Sequence, residues 1–381
     1  MPYLDNNATT KPLPAVVNAV RCALEDNWHN PSSVHRQGQA ASHVLELARA
    51  DLAALVGLPP RQLTFTSSGT ESIDLAIRGV LGASQTNTLI TSRLEHSAVR
   101  DLAQHLEKTG KAKVRWLKIN PGGLIDLDDL ERALNQEPPA LVSIQWANNE
   151  TGVIQPIQTI HEICQAAGAL LHTDAVQWIG KMPVNHSPPA DLITFSPHKF
   201  HGPKGIGILT VRPGVRLRPT LQGSQELGRR GGTQNLPGAL GAAAAATAAK
   251  HWLTDESSRA AQSDLRNRFE AAILKEFPNA VVNAADQPRL WNTSNIGFPR
   301  LEAEAILLSL SERGLAASAG AACSSGSLDP SPVLLAVGIP PKTAHGSVRF
   351  SLSRFTTKDD IDQAVQIVHK SIKRLSASMH A

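Results

Sequence analysis

Between about residues 60 and 215 short β-rich runs alternate with helical stretches, and this alternation limits the possible fold more than any other feature of the chain. The runs read QLTFT, NTLITS, KVRWLKI, ALVSIQW, ALLHTD, DLITFS and GIGILTV. Strands separated by helices predict an α/β fold with a mostly parallel, doubly wound sheet. Ahead of them, VLELARADLAALVG puts Val44, Leu47, Ala48, Leu52, Leu55 and Val56 on one helical face, and Gly57 with two prolines beyond it stops the helix. After residue 260 the order becomes helix (SDLRNRFEAAILKEF), strand (NTSNIGF), helix (AEAILLSLSERG), a loop of small residues, strand (GSVRFSL) and a last helix (DDIDQAVQIVHKSIKRL). That order predicts a smaller α+β domain.

At 381 residues the chain exceeds the roughly 250 to 300 residues at which a single core stops growing, so two domains are expected. Its 37 basic and 33 acidic residues give a net charge of +4, scattered without runs of one sign, which offers no ground for a nucleic-acid or membrane partner. MPYLDNNATT lacks the basic and apolar regions of a signal peptide, and no apolar run reaches the roughly 18 residues of a membrane span. The alanine-rich ALGAAAAATAAKHW reads as a soluble helix. Cys22, Cys164 and Cys323 are odd in number and far apart, with no CxxC pair. That argues against a disulfide framework or a zinc site and for a reducing cytoplasm. Cys22 and Cys164 lie among apolar neighbours in helical patterns and are expected in the core.

Ligands of doubly wound sheets sit outside the carboxyl ends of the strands, so the polar residues just past each run are the candidates. After QLTFT, Ser67 to Ser72, with Gly69 and Thr70 among them, form a turn that opens a helix. It reads either as a phosphate cradle of free amides or as a plain capping box between Ser68 and Glu71. His96 follows NTLITS; Asp174 closes ALLHTD, with Gln177 three residues on. Lys199 lies in PHKFHGPKG after DLITFS, where desolvation can free its amine as a nucleophile. GPKGIG matches neither a dinucleotide fingerprint nor a Walker sequence, and His198 with His201 lack further ligands for a metal. Together the candidates sketch one pocket holding a phosphate cradle, a flat ring, a carboxylate and a lysine, the set that pyridoxal phosphate requires.

The motifs YLDNNATT, NPSSVH, TSSGTES, EHSAV, NNETGVIQPI, HTDAVQ, SPHKFHGPKGIG, GRRGGTQN, SAGAACSSGS and SVRFSLSRFTT run in this order from Tyr3 into the final helix. They resemble the cysteine desulfurases of the class V aminotransferase-like, fold-type I pyridoxal-phosphate enzymes, and the cysteine loop resembles that of the group I branch. The resemblance implies a homodimer that converts L-cysteine to L-alanine and leaves the sulfur as a persulfide on an enzyme cysteine. The sulfur then goes to an acceptor protein, an iron–sulfur scaffold or a sulfur relay, for iron–sulfur cluster assembly or for thiolation of tRNA or cofactors.

By the same resemblance Lys199 holds the aldehyde of pyridoxal 5'-phosphate, Asp174 partners its ring nitrogen, Gln177 donates to its phenolic oxygen, and His96 stacks on the ring and carries protons. Thr70, Ser196 and His198, with Gly69 in the same turn, hold the phosphate, joined by Thr233 of the second subunit. Asn149 lies beside cofactor and substrate, and Arg349 pairs with the substrate carboxylate near Asn7. Cys323, in SAGAACSSGSLDPS at 318–331, is the sulfur acceptor on a loop that small residues let swing. The implied division is a large cofactor-binding domain at 15–255 and a small domain built from 1–14 and 256–381. A selenocysteine lyase, a cystine lyase or an aminotransferase on the same scaffold is the alternative enzyme, since none of these needs a mobile cysteine; a non-catalytic scaffold is the alternative outside enzymes.

Overall fold

The computed structural model describes residues 1–184, 188–319 and 330–378. Two helices open the chain, α1 (Pro14–Glu25) and α2 (Arg36–Val56), and the expected alternation follows as far as the fifth strand, after which two more strands come with no α-helix between them among the described residues. It runs β1 (Leu63–Thr66), α3 (Gly69–Ala83), β2 (Thr88–Thr91), α4 (Ser97–Lys108), β3 (Lys113–Trp116), α5 (Leu127–Gln136), β4 (Leu141–Ser143), α6 (Ile157–Ala166), β5 (Leu171–Asp174), β6 (Leu192–Phe195), β7 (Gly207–Val211) and α7 (Leu236–Leu253). The rest of the chain is α8 (Glu256–Glu276), β8 (Val281–Val282), β9 (Thr293–Gly297), α9 (Ala303–Glu312), β10 (Ser318–Ala319), α10 (Pro332–Ala336), α11 (Pro341–His345), β11 (Ser347–Ser351) and α12 (Lys358–Ser378).

Strands β1 to β7 form one sheet in the order β1-β7-β6-β5-β4-β2-β3. Neighbours from β6 to β3 pair in parallel, and β7 alone runs antiparallel to its neighbours β6 and β1. Every residue of β1, β2, β5 and β6 is buried, as expected when helices cover both faces of a parallel sheet. On one face Ile73, Ile77, Val99 and Leu106 pack over Leu89, Leu141 and Leu192. The opposite face carries Leu52, Val56, Ile160, Ala242 and Ala246 over Ile90, Val142 and Ile193.

The alanine-rich stretch is α7, packed against both α1 and α2. Ala242, Ala245, Ala246 and Ala249 are all 0% exposed there, and their small side chains let three helices approach closely. Among the described residues no helix is long and apolar enough to cross a membrane.

Two sequence expectations need correction. Leu47 is 52% exposed: α2 buries Ala41, Leu45, Ala48, Leu52 and Val56, and Leu47 lies about 200° around the helix from Leu45. Cys22 is only half-buried, because α1 turns Val16 and Ala23 inward; Cys164 is fully buried, and that burial pushes its thiol pKa up to about 12.

The second sheet, β10-β11-β9-β8, is antiparallel throughout. Phe269, Ile273, Ile306, Leu310, Phe350, Ile361 and Val368 form its core with α8, α9 and α12. Leu4 joins that core, and bridges from Tyr3 to Ala316 and from Asp5 to Ser351 lay the start of the chain along this sheet. Beyond it the chain crosses to the turn after β6, where the Thr10 amide donates to the His198 carbonyl at 3.0 Å.

Candidate active site

A cavity of about 250 Å³ opens past the carboxyl ends of the parallel strands. Gly69, Thr70, His96, Asn149, Asp174, Gln177, Ser196, His198 and Lys199 line it from the large sheet, with Asn7 from the N-terminal segment and Arg349 from β11. Thr233 does not line it and is exposed between β7 and α7; Cys323 lies outside the described residues.

Strand β5 ends at Asp174, whose Oδ1 accepts from the Val176 amide at 3.0 Å. Burial pushes its pKa up to about 6, against the pull of that amide and of Lys199. Strand β6 passes through Ser196 into a single turn, Pro197–Lys199, in which proline sets the backbone bend. Lys199 Nζ donates to the carbonyl oxygens of Asn7 and Ala8, both at 2.8 Å. The amine of the large sheet is thus received by the segment that belongs to the small one.

His96 is the N-cap of α4, with Nδ1 accepting from the Ala98 amide at 3.1 Å. In the neutral ring that acceptor role leaves the proton on Nε2. Burial, then Lys199 and Arg100, lowers its pKa to about 4, so the ring is uncharged near neutrality.

At the start of α3 both readings of the serine-rich turn hold at once. Ser68 Oγ accepts from the Glu71 amide at 3.2 Å, and Glu71 reaches back to accept from the Ser67 amide at 2.7 Å, one residue earlier than in the usual box. Arg230 Nε donates to the other Glu71 oxygen at 2.8 Å. Gly69 and Thr70 still face the cavity. A Cβ on Gly69 would lie 3.2 Å from Val176 Cγ2 and 3.6 Å from Ser196 Cβ, so glycine keeps this helix N-terminus open to an anion.

Arg349, with its side chain 3% exposed, donates through Nη1 to the Asn149 carbonyl at 3.1 Å and through Nη2 to Asp5 Oδ1 at 2.8 Å. Its Nε is buried with no partner among the described residues, and the contacts to Asn149 and Asp5 use two of the five guanidinium N–H donors, so the side chain keeps donors for a carboxylate. Asn7 is a hub. Its Oδ1 accepts from Lys181 Nζ and Asn292 Nδ2, while its Nδ2 donates to Thr293 Oγ1 and the Asn149 carbonyl.

Two buried groups beside the site escaped sequence reasoning. Glu95 accepts from Ser92 Oγ at 2.9 Å through Oε1, and its Oε2 has no partner among the described residues. Burial pushes its pKa up to about 8, so it holds its proton at neutral pH. Lys181 is 4% exposed and bonded to Asn7 and Gln177. The one signal for it was its place four residues past Gln177 in DAVQWIGK; Glu95 had none, since nothing in RLEH distinguishes a buried carboxyl from a solvated one.

The donor set fits a phosphorylated pyridine aldehyde: an open helix N-terminus for the phosphate, a neutral flat ring, a carboxyl at the cavity wall and an amine held by carbonyl oxygens.

The class-V aminotransferase family model matches residues 2–364. A cysteine desulfurase of Nostoc sp. is 46% identical over 378 residues, covering 98% of this chain and 94% of that protein. The cysteine desulfurase NifS of Azotobacter vinelandii is 41% identical over 377 residues, covering 98% and 93%. A solved NifS-like protein superposes with a TM-score of 0.90 at 33% identity, covering 98% of this chain and 100% of that one. With the cavity built at the same sheet edge from Lys199, Asp174 and His96, these matches along nearly the whole sequence mean that the chain belongs to the class-V aminotransferase family, and within it to the cysteine desulfurases.

Proposed function

We propose that this chain is a pyridoxal-phosphate-dependent cysteine desulfurase that converts L-cysteine to L-alanine and transfers the sulfur to Cys323. The observation that carries the reading is the convergence of Lys199, Asp174, His96 and Arg349 on one cavity.

Gly69 and Thr70 at the α3 N-terminus, with Ser196 and His198, hold the phosphate. Asp174 would face the ring nitrogen as a carboxylate, Gln177 would offer its amide to the phenolic oxygen, and His96 would supply the flat neighbour of the ring. Pyridoxal phosphate, when bound, supplies an electron sink that makes the substrate Cα–H bond acidic. Lys199 would hold the aldehyde, and its amine is the base that would take the substrate Cα proton. Arg349, at the cavity wall, would receive the substrate carboxylate, with Asn149 and Asn7 beside it. His96 can give and regain a proton at Nε2.

The Cys323 thiolate attacks the substrate sulfur, so that one C–S bond breaks as one S–S bond forms. L-cysteine and the Cys323 thiol become L-alanine and a Cys323 persulfide, and no outside oxidant is needed.

The protein acts as a homodimer, with exposed Thr233 reaching the phosphate of the second subunit; exposed Trp28 (68%) and Leu227 (72%) support a covered surface. The division into 15–255 against 1–14 with 256–381 is supported by the two sheets and by the N-terminal segment lying along the second. A cytoplasmic location and a protein acceptor, either an iron–sulfur scaffold or a sulfur relay, complete the reading.

The test is alanine production from L-cysteine by cofactor-loaded protein. Formation of alanine that ceases in Lys199→Ala and in Cys323→Ala supports the proposal; undiminished turnover in Cys323→Ala contradicts it.

A further inference from the structure

Lys181 is a buried lysine that none of the steps above employs. Its Nζ donates to Asn7 Oδ1 at 2.8 Å and to Gln177 Oε1. Gln177 Nε2 in turn donates to the Asn7 backbone carbonyl at 3.0 Å, closing a ring of three residues. That same carbonyl receives Lys199 Nζ at 2.8 Å. Lys181 therefore grips the residue that holds Lys199.

Its own position is fixed from two sides. The Lys181 carbonyl accepts from Trp291 Nε1 at 2.9 Å. Gly180 has φ 78°, and a Cβ there would come within 2.5 Å of Phe200 Cβ, so the Lys181 turn and the Lys199 turn sit directly against each other. A second, smaller cavity of about 20 Å³, lined by both lysines, has room for about one water.

The neighbours argue against a lysine kept here for an ion pair. Lys199 and Arg349 act on Lys181 electrostatically, and His201 and Arg354 line the small cavity; none is an acid. Burial, then Lys199 and Arg349, push the Lys181 pKa well below the usual lysine range, and burial likewise holds His201 neutral with a pKa of about 4. The partners of Lys181 are amide oxygens, whose orientation it sets.

We propose that Lys181 is a positioning residue for the active-site lysine: through Asn7 and Gln177 it fixes the carbonyl that receives Lys199 and the amide that faces the cofactor. The inference rests on the reading of Lys199 as the cofactor-holding lysine.

The experiment uses the full chain loaded with pyridoxal 5'-phosphate. Lys181→Met keeps the length of the side chain and removes the donors. It is expected to raise the cofactor dissociation constant at least tenfold, to move the pH midpoint of the bound cofactor's visible band by about one unit, and to lower kcat more than it changes KM. Lys181→Gln, which keeps one donor, is expected to shift the same quantities less, about threefold in affinity. A folded Lys181→Met protein with wild-type affinity, band midpoint and kcat overturns the proposal. If Lys181→Met does not fold, Lys181→Gln decides, and unchanged affinity and midpoint overturn it. Affinity and band midpoint involve no cysteine turnover, so wild-type protein that makes no alanine would count against the desulfurase reading and leave this one standing.

Discussion

Replacing Asp174 with asparagine should move two properties of this protein in opposite directions. In the cofactor-free chain the carboxyl is buried, and its pKa stands at about 6 against an ordinary 3.8. The folded chain therefore binds this proton more tightly than the unfolded chain does. The advantage is fully present below pH 3.8 and is lost as pH rises through 6, so at pH 7.5 ionised Asp174 costs the fold about 3 kcal/mol.

Asparagine can accept from the Val176 amide as Asp174 does, and it carries no charge to desolvate. Cofactor-free Asp174→Asn should be about 3 kcal/mol more stable at pH 7.5 and roughly half as much at pH 5. At about 2 cal/mol/K per residue over 381 residues, the larger figure is about 4 °C in Tm. The same change removes the partner of the ring nitrogen, so pyridoxal phosphate affinity should fall. Calorimetry of the cofactor-free protein at both pH values, with cofactor titration beside it, measures both effects. A cofactor-free variant that melts below wild type at pH 7.5, or one that gains equally at both pH values, refutes the argument.

Other expectations follow from single contacts. His96→Phe keeps a flat ring but loses the cap on the Ala98 amide, so it should cost about 1 kcal/mol of stability and retain cofactor affinity within a few-fold while kcat falls; His96→Ala should lose both, as denaturant melts and cofactor titration will report. Glu226, buried and paired with Arg49 at 2.7 Å, holds the segment that carries Thr233, and Glu226→Ala should cost about 1 to 3 kcal/mol by chemical denaturation because it leaves the buried arginine with only Glu46 and the Leu63 carbonyl; the double change with Arg49→Met should recover part of that loss. Cys164, with its thiol pKa pushed up to about 12, should resist alkylation at pH 7.5 until the protein unfolds, as peptide mass mapping can check.

Strands β1 to β7 were legible because strands buried on both faces read as short apolar runs. For the same reason the reversal of β7 was not legible. Gly207–Val211 is as fully buried as the parallel strands β5 and β6, and nothing in GILTV marks its direction. The outward turn of Leu47 depends on where α7 lies, which the periodicity of α2 alone does not say. Strands β8 and β10, of two residues each, are too short to carry any period.

Site residues at strand ends stood out because a polar residue that closes an apolar run is conspicuous, as with Asp174 and His96. Roles made by distant contacts did not. Asn7 becomes a hub only when Lys181, Asn292 and Thr293 meet it across at least 174 positions of sequence, and Arg349 meets the Asn149 carbonyl only across 200 positions.

The most direct measurement is mass spectrometry of the Cys323 peptide after cofactor-loaded protein is mixed with L-cysteine, without reductant, and trapped with an alkylating reagent. One added sulfur on Cys323, absent in Lys199→Ala, is the predicted result. Alanine formation with Cys323 unmodified would contradict the assignment of Cys323 as the sulfur acceptor.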